Sequence, residues 1–350
     1  MDSATEFLFG QSTDVLGAFP EAGAKFAAAF TYVTEVMGLH TRLGKLATFL
    51  PDKKYVERTK IINEYVSGYV QDAVQLHKTG KSMKKDGDAD RYVFLEELAK
   101  LGVGEKKIHD ELLNILLAGR DTTASLLSYL FYILARRPDV LKKLRAEIMQ
   151  YGSQAPTFEQ IKSMKYLQWC LNESTYHSFF TIHILYHIDQ HGISRETLGC
   201  SKLEKYNLTS LALRLHPIVP GNARVALIDT TLPVGGGKDG KSPIFVKKGQ
   251  VIVYQVYVMQ TRKDLYGEDA EEFIPERWES LRPGWQYLPF NGGPRICIGQ
   301  QFALTEASFT TIRILQAFKG VENRDETGLK DQLTLTAQVK GGVQVAMIPA

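Results

Sequence analysis

Cysteine is scarce in this sequence. The three residues, Cys170, Cys200 and Cys297, are widely spaced and odd in number, which excludes a disulfide-stapled scaffold and suits a reducing compartment. An excess of one charge is also lacking: 42 Lys and Arg against 39 Asp and Glu leave a formal net charge of +3, so neither nucleic acid nor an acidic partner is implied. No amino-terminal hydrophobic anchor or signal peptide is visible, because Met1-Asp2-Ser3-Ala4-Thr5-Glu6 opens directly into folded-looking sequence. An uninterrupted apolar run is missing too. The longest helical pattern, Ile108 to Ala135, could span a bilayer by length, but Arg120 and Asp121 stand at its middle, where each would cost roughly 2.5–3.5 kcal/mol. A buried core helix with a polar interruption is the better account. What remains is ordinary globular composition, 44% hydrophobic and 23% charged over 350 residues, enough for one large domain or two smaller ones.

Apolar residues at spacings of three and four predict helices from Ala22 to Val36 and from Pro51 to His77. Lys78 to Arg91 is polar and reads as an exposed connection. Pro138 ends the long helix, and Val140 to Tyr151 and Phe158 to Glu173 each predict another. Ser174 to Leu211 then breaks the pattern, being aromatic, His-rich and without periodicity. Within it His183, His187 and His191 fall at i, i+4 and i+8, a spacing that aligns imidazoles on one helix face. No carboxylate accompanies them in the manner of His-Glu-x-x-His and Gly192 follows at once, which argues against a metal site. Further on, Gly235 to Ser242 satisfies the phosphate-loop pattern G-x-x-x-x-G-K-S. That pattern needs a helix after it, whereas Pro243 and the strand-like Ile244-Phe245-Val246 follow here, so a hairpin tip is expected. Val251 to Met259 is apolar, with β-branched and aromatic residues, Leu304 to Phe318 is an amphipathic helix, and Leu333 to Ile348 alternates like terminal strands.

Two stretches carry chemistry. From Phe290 to Gly299 the chain reads Phe-Asn-Gly-Gly-Pro-Arg-Ile-Cys-Ile-Gly. It holds one thiol, Cys297, among turn-forming residues, with the Arg295 guanidinium two residues ahead. Glycines let a backbone approach a flat ligand closely, and a lone thiolate is a soft ligand suited to haem iron. The plainer alternative is a glycine-rich loop around a buried free cysteine. The second stretch is the interruption of the long helix, Ala118-Gly119-Arg120-Asp121-Thr122-Thr123. Its alternative is a polar patch where the helix meets water, with threonine bonded back to the preceding turn.

Phe290, Gly293, Arg295, Cys297 and Gly299 match Phe-x-x-Gly-x-Arg-x-Cys-x-Gly, the haem-ligand signature that this sequence shares with the cytochrome P450 monooxygenases, and Ala303 follows as a small residue. The interrupted helix resembles that family's oxygen-binding helix. The resemblance implies a mainly α fold with small β-sheets, bearing haem (iron protoporphyrin IX) ligated by Cys297. It implies that Arg295 and Arg224 anchor the haem propionates, that Gly119 leaves room for dioxygen, and that Thr122 and Asp121 manage protons. Glu173, Arg214 and Arg277 would form a structural cluster behind the haem loop. Gly221-Asn222-Ala223-Arg224, Glu276-Arg277-Trp278 and Tyr287 to Arg295 are worded like the fungal alkane and fatty-acid hydroxylases. Hydroxylation of a hydrophobic substrate, a long-chain alkane or fatty acid, with O2 and electrons from NADPH through a cytochrome reductase is implied. So is a place on the cytoplasmic face of the endoplasmic reticulum membrane, although no targeting or transmembrane segment is visible here.

Two departures from the family are expected. Thr5 to Ser12 resembles a mid-domain segment of the microsomal enzymes, so residues 1–350 are expected to be a single partial domain that is truncated at its amino end. Residues 174–211 are expected to be an insertion, a retained intron, in the helix that should carry Glu-x-x-Arg. Excising them would give Glu173-Ala212-Leu213-Arg214, one helical turn, and keeping them is expected to leave Arg214 and Arg277 short of their carboxylate. The rival functions are a haem-free, inactive relic of such an enzyme and a nucleotide-binding protein built on Gly235 to Ser242.

Overall fold

The computed structural model describes residues 1–17, 21–81, 92–173, 213–215, 217–326 and 328–350. The segment 174–211, with its three spaced histidines, lies outside the described residues. The chain divides into two compact units, Met1–Ser125 with Gln332–Gln338, and Leu126–Asp331 with Val339–Ala350.

The first unit is helical. It comprises α1 (Asp2–Phe9), α2 (Glu21–Leu43), α3 (Lys53–Lys78), α4 (Phe94–Lys100) and the first part of α5 (Glu105–Leu134). In α2 the residues Phe26, Ala29, Phe30 and Val33 are buried, and in α3 Ile62, Val66, Val70 and Ala73. Both stripes follow the three-four spacing of an amphipathic helix. Phe26 stacks on Tyr65 with ring centroids 4.2 Å apart, and Ile108, Leu112 and Leu116 of α5 join the same core. Asp52 starts α3 by accepting the Tyr55 N–H at 3.0 Å, which satisfies one of the donors that a helix start leaves open.

The second unit takes the rest of α5, then α6 (Pro138–Met149), α7 (Phe158–Ser163) and α8 (Lys165–Glu173). Pro138 stands at the first helical position of α6, where a missing N–H costs nothing. Phe158 to Glu173 forms two helices where the apolar spacing predicts one. Thr157 and Gln160 cap the first as a reciprocal capping box. The Glu147 carboxylate of α6 caps the second, accepting the N–H groups of Tyr166 and Leu167 at 2.9 Å each. The tertiary cap makes a new helix start at a place that no local spacing reveals.

After the undescribed segment come strands β1 (Gly221–Val225), β2 (Thr230–Gly236), β3 (Ser242–Val246) and β4 (Val251–Gln255). β1 pairs with β4 and β2 with β3, both antiparallel. The apolar run from Val251 is strand for half its length and helix for the rest, as α9 (Val256–Gln260), followed by α10 (Lys263–Tyr266). The ladder stops at Gly221↔Gln255 because Pro220 has no N–H to continue it; its carbonyl instead accepts from Tyr257 at 3.1 Å. Helix α11 (Gln300–Ala317) leads to β5 (Phe318–Asn323), β6 (Asp331–Leu333), β7 (Ala337–Val339) and β8 (Val345–Pro349). The fold is mainly α with small β-sheets. Among the described residues no helix is long and apolar enough to cross a membrane.

Candidate active site

The thiol loop lies in the second unit, between the packed Phe290 and α11. Phe290 sits against the unit's core, and its carbonyl accepts the Cys297 N–H at 2.9 Å, which closes the loop. Inside it, Gly293 has φ +68°, a value that glycine adopts without the steric penalty of a side chain. A short 3-10 turn over Gly293–Arg295 follows, with Pro294 setting its φ. Gly292 is required for space, since a Cβ there would lie 2.5 Å from Trp285 Cζ3. At Gly299 a Cβ would meet only the Cys297 Sγ, at 3.9 Å, so packing within the chain does not demand glycine there. Asn291, at φ +63°, is held by the Tyr254 hydroxyl, which donates to its Oδ1 at 2.6 Å.

Cys297 is a free, exposed thiol, not the buried cysteine of the plainer alternative. Ile296, Ile298 and Phe302 beside it are exposed as well, Ile298 completely at 100%. Arg295 is exposed. Apolar side chains are seldom left in water around a thiol without a partner surface. A soft sulfur donor, a rim of apolar side chains and an exposed guanidinium suit a flat apolar ring that carries iron and carboxylates, so these residues fit haem. Arg224, on β1 of the same unit, lies 5.5 Å over the Tyr254 ring. The tyrosine that holds Asn291 of the thiol loop therefore also carries this second arginine.

Behind the loop, Glu173 at the end of α8 is fully buried and gathers five donors, the Ile274 N–H at 3.3 Å among them. Arg214 approaches it with Nε on Oε2 and Nη2 on Oε1, both at 2.9 Å. Arg277 Nε donates at 2.8 Å and Trp278 Nε1 at 2.8 Å. The Arg214 guanidinium also donates to the carbonyls of Gln260 and Ala270 at 3.0 and 2.7 Å, so its buried charge is well satisfied. The expectation that the inserted segment leaves Arg214 and Arg277 without their carboxylate is therefore wrong. Arg214 does not share a helix with Glu173. It stands in a turn that docks on the end of α8, where its N–H donates to the Asn172 carbonyl at 3.0 Å. Contact in space replaces spacing in sequence.

Gly119, Asp121 and Thr122 belong to the first unit. A Cβ at Gly119 would meet nothing within 4 Å, so there is open space beside the helix at that point. The Thr122 hydroxyl donates to the Ala118 carbonyl at 2.6 Å, a threonine bonded back to the preceding turn. Asp121 is 7% exposed and pairs with Arg120 Nη1 at 2.9 Å. Arg120 in turn donates from Nη2 to Thr31 Oγ1 at 2.8 Å. Burial pushes the Asp121 carboxyl above the usual carboxylate range, and the Arg120 charge opposes that shift.

The phosphate-loop pattern folds as the tip of the β2–β3 hairpin, with Gly236 opposite Ser242 and the Gly235 N–H bonded to the Gly240 carbonyl at 2.8 Å. β3 begins at Ser242, so no helix amino end follows to cradle a phosphate. No motif or spacing in the sequence singles out Gln260, which is fully buried and bonded on three sides. The signal was present only as the second of two amides, Gln255 and Gln260, in the otherwise apolar run from Val251.

A scan against protein families matches the chain to cytochrome P450 over residues 1–175 and 212–345. Among curated proteins it is 40% identical to the cytochrome P450 monooxygenase FPY7 of Fusarium mangiferae, over 99% of this chain and 60% of that protein. It is 39% identical to cytochrome P450 52E1 of Candida apicola, over 98% and 63%, and 40% identical to cytochrome P450 52A1 of Candida tropicalis, over 99% and 60%. The chain thus spans about three fifths of the length of these relatives.

Proposed function

The chain belongs to the cytochrome P450 family, and on that premise we propose that it is a haem-thiolate monooxygenase hydroxylating a hydrophobic substrate. Bound haem supplies the chemistry by which O2 and electrons from NADPH place one oxygen atom into a C–H bond. The observation that carries the proposal is the exposed Cys297 thiol, held by the Phe290 carbonyl in a loop rimmed by Ile296 and Ile298. Cys297 is the iron ligand. Arg295 and Arg224 pair with the propionates, and Phe290, Gly293 and Gly299 shape the loop. Gly119 leaves space on its helix for dioxygen. Asp121 relays protons, and the Thr122 hydroxyl passes them on after turning away from Ala118. Glu173, Arg214 and Arg277 keep the scaffold behind the loop rigid.

The finer assignments follow the relatives. A long-chain alkane or fatty acid as substrate, an NADPH–cytochrome reductase as electron donor and the cytoplasmic face of the endoplasmic reticulum membrane as location are supported by likeness to the fungal P450 52 enzymes. We infer further that residues 174–211 are an insertion in a single P450 domain, of which this chain is a part. Supporting this, the family match pauses between 175 and 212. Moreover, with 174–211 removed Arg214 would stand four residues after Asn172, and its N–H already donates to the Asn172 carbonyl at 3.0 Å, the i→i−4 bond of a continuous α-helix. Sequencing the spliced transcript tests the retained-intron origin. A mature message that always encodes 174–211 rules that origin out. The function is tested by the Soret band of the purified, haem-loaded chain, whose shift in the reduced carbon-monoxide complex reports thiolate ligation.

A further inference from the structure

The segment from β4 to α10 sends three side chains into the stretch leading to the thiol. Tyr266 Oη donates to the Gln286 carbonyl at 2.7 Å, Gln260 Oε1 accepts the Leu288 N–H at 2.7 Å, and Tyr254 Oη donates to Asn291 Oδ1 at 2.6 Å. Gln260 stands apart from the two tyrosines. It is 0% exposed, and its Nε2 donates to the carbonyls of Leu213 and Arg214 at 2.9 and 2.7 Å. Its backbone carbonyl accepts from Arg214 Nη1 at 3.0 Å. A buried amide is costly unless its polar atoms are paired; here the acceptor and both donor directions are used, each toward a different backbone group.

We propose that Gln260 is a positioning residue for Cys297. It ties the turn carrying Arg214 to Leu288, two residues ahead of Phe290, whose carbonyl in turn holds the Cys297 N–H. Among the described residues, no hydrogen bond or ion pair of Glu173, Arg214 or Arg277 reaches Phe290 to Gly299; the Gln260 amide supplies a link. Its consequence for haem rests on the proposal that Cys297 is the ligand, whereas its geometry does not.

The test uses the full chain as wild type, Gln260→Met and Gln260→Glu. Methionine keeps the volume and loses all three hydrogen bonds. Glutamate keeps the acceptor for Leu288 and loses the donors. Amide hydrogen exchange is read at Leu288 and Cys297, with Leu167 and Leu171 of α8 as internal reference, and needs no haem. Exchange at both loop amides is expected to speed up about tenfold or more in Gln260→Met, since an abandoned buried N–H loses its partner, and to stay within about threefold of wild type in Gln260→Glu. In the haem-loaded chain, Gln260→Met is expected to move the reduced carbon-monoxide Soret band from the thiolate toward the neutral-thiol position at equal haem content, and Gln260→Glu to restore it. Equal acceleration at the α8 reference, or no change at Cys297 in Gln260→Met, overturns the inference. A wild type with no thiolate band sinks the ligand proposal instead, while the exchange data still decide the role of Gln260.

Discussion

Glu173 and Arg214 stand 41 residues apart in sequence and meet in a fully buried, doubly hydrogen-bonded pair at 2.9 Å. Arg277 and Trp278 donate to the same carboxylate. Such a pair is weak evidence of net stabilisation, because desolvation offsets much of the attraction, but removing one partner strands the other charge. Arg214→Ala is therefore expected to lower the unfolding free energy by about 3–5 kcal/mol. Urea denaturation followed by circular dichroism checks it; a loss below about 1 kcal/mol would mean that the cluster contributes little.

Removal of residues 174–211 should spare that pair. The Arg214 N–H already sits where a continuous helix would put it, and deleting a long connection lowers loop-closure entropy by roughly 1–3 kcal/mol. The deletion variant is expected to unfold at the same temperature or higher, and calorimetry of the two chains measures it. A lower midpoint would show that the segment contributes to the fold.

Gly119 offers a separation of stability from function. Open space surrounds its Cβ position, and alanine is a better helix former than glycine by roughly 0.8–1 kcal/mol. Gly119→Ala should raise the unfolding free energy by about that much. If the space serves dioxygen, the same variant should lower turnover of a fatty-acid substrate relative to wild type, read as product formed at equal haem content.

Much of this was legible in the sequence, and the reason is local. The thiol loop is a contiguous stretch whose glycines and proline determine its turns, and long helices such as α3 and α5 announce themselves by spacing. What the sequence hid depends on contacts made at a distance. The start of α8 is set by Glu147 of another helix. The end of β4 is set by Pro220, the residue just before its partner strand. The reunion of Glu173 with Arg214 is invisible because spacing arguments count residues, whereas the pair is made across a turn docked in space. Gln260 escaped because nothing in the sequence separates it from Gln255 in the same apolar run until its hydrogen bonds are seen.

Asp331 predicts a pH dependence unrelated to haem. It is mostly buried, accepts from Tyr129 Oη at 2.9 Å, and leaves its other oxygen buried without a hydrogen-bond partner among the described residues. Burial pushes its pKa up from 3.8 to about 6, with the Tyr129 hydrogen bond opposing. A carboxyl raised in the folded state binds its proton more tightly there than in the unfolded chain, so stability falls as pH rises from about 4 to about 6 and is level above that. Asp331→Asn is expected to flatten this decline and to stabilise the protein at pH 7 by about 2 kcal/mol while changing little at pH 4. Denaturation midpoints at the two pH values provide the check.

The most direct measurement is the absorption spectrum of the reduced carbon-monoxide complex of the haem-loaded chain, taken beside that of Cys297→Ala. The account predicts a thiolate-shifted Soret band in the wild-type chain that the substitution abolishes. A band at the same position in both proteins, or no haem band in either, would contradict it.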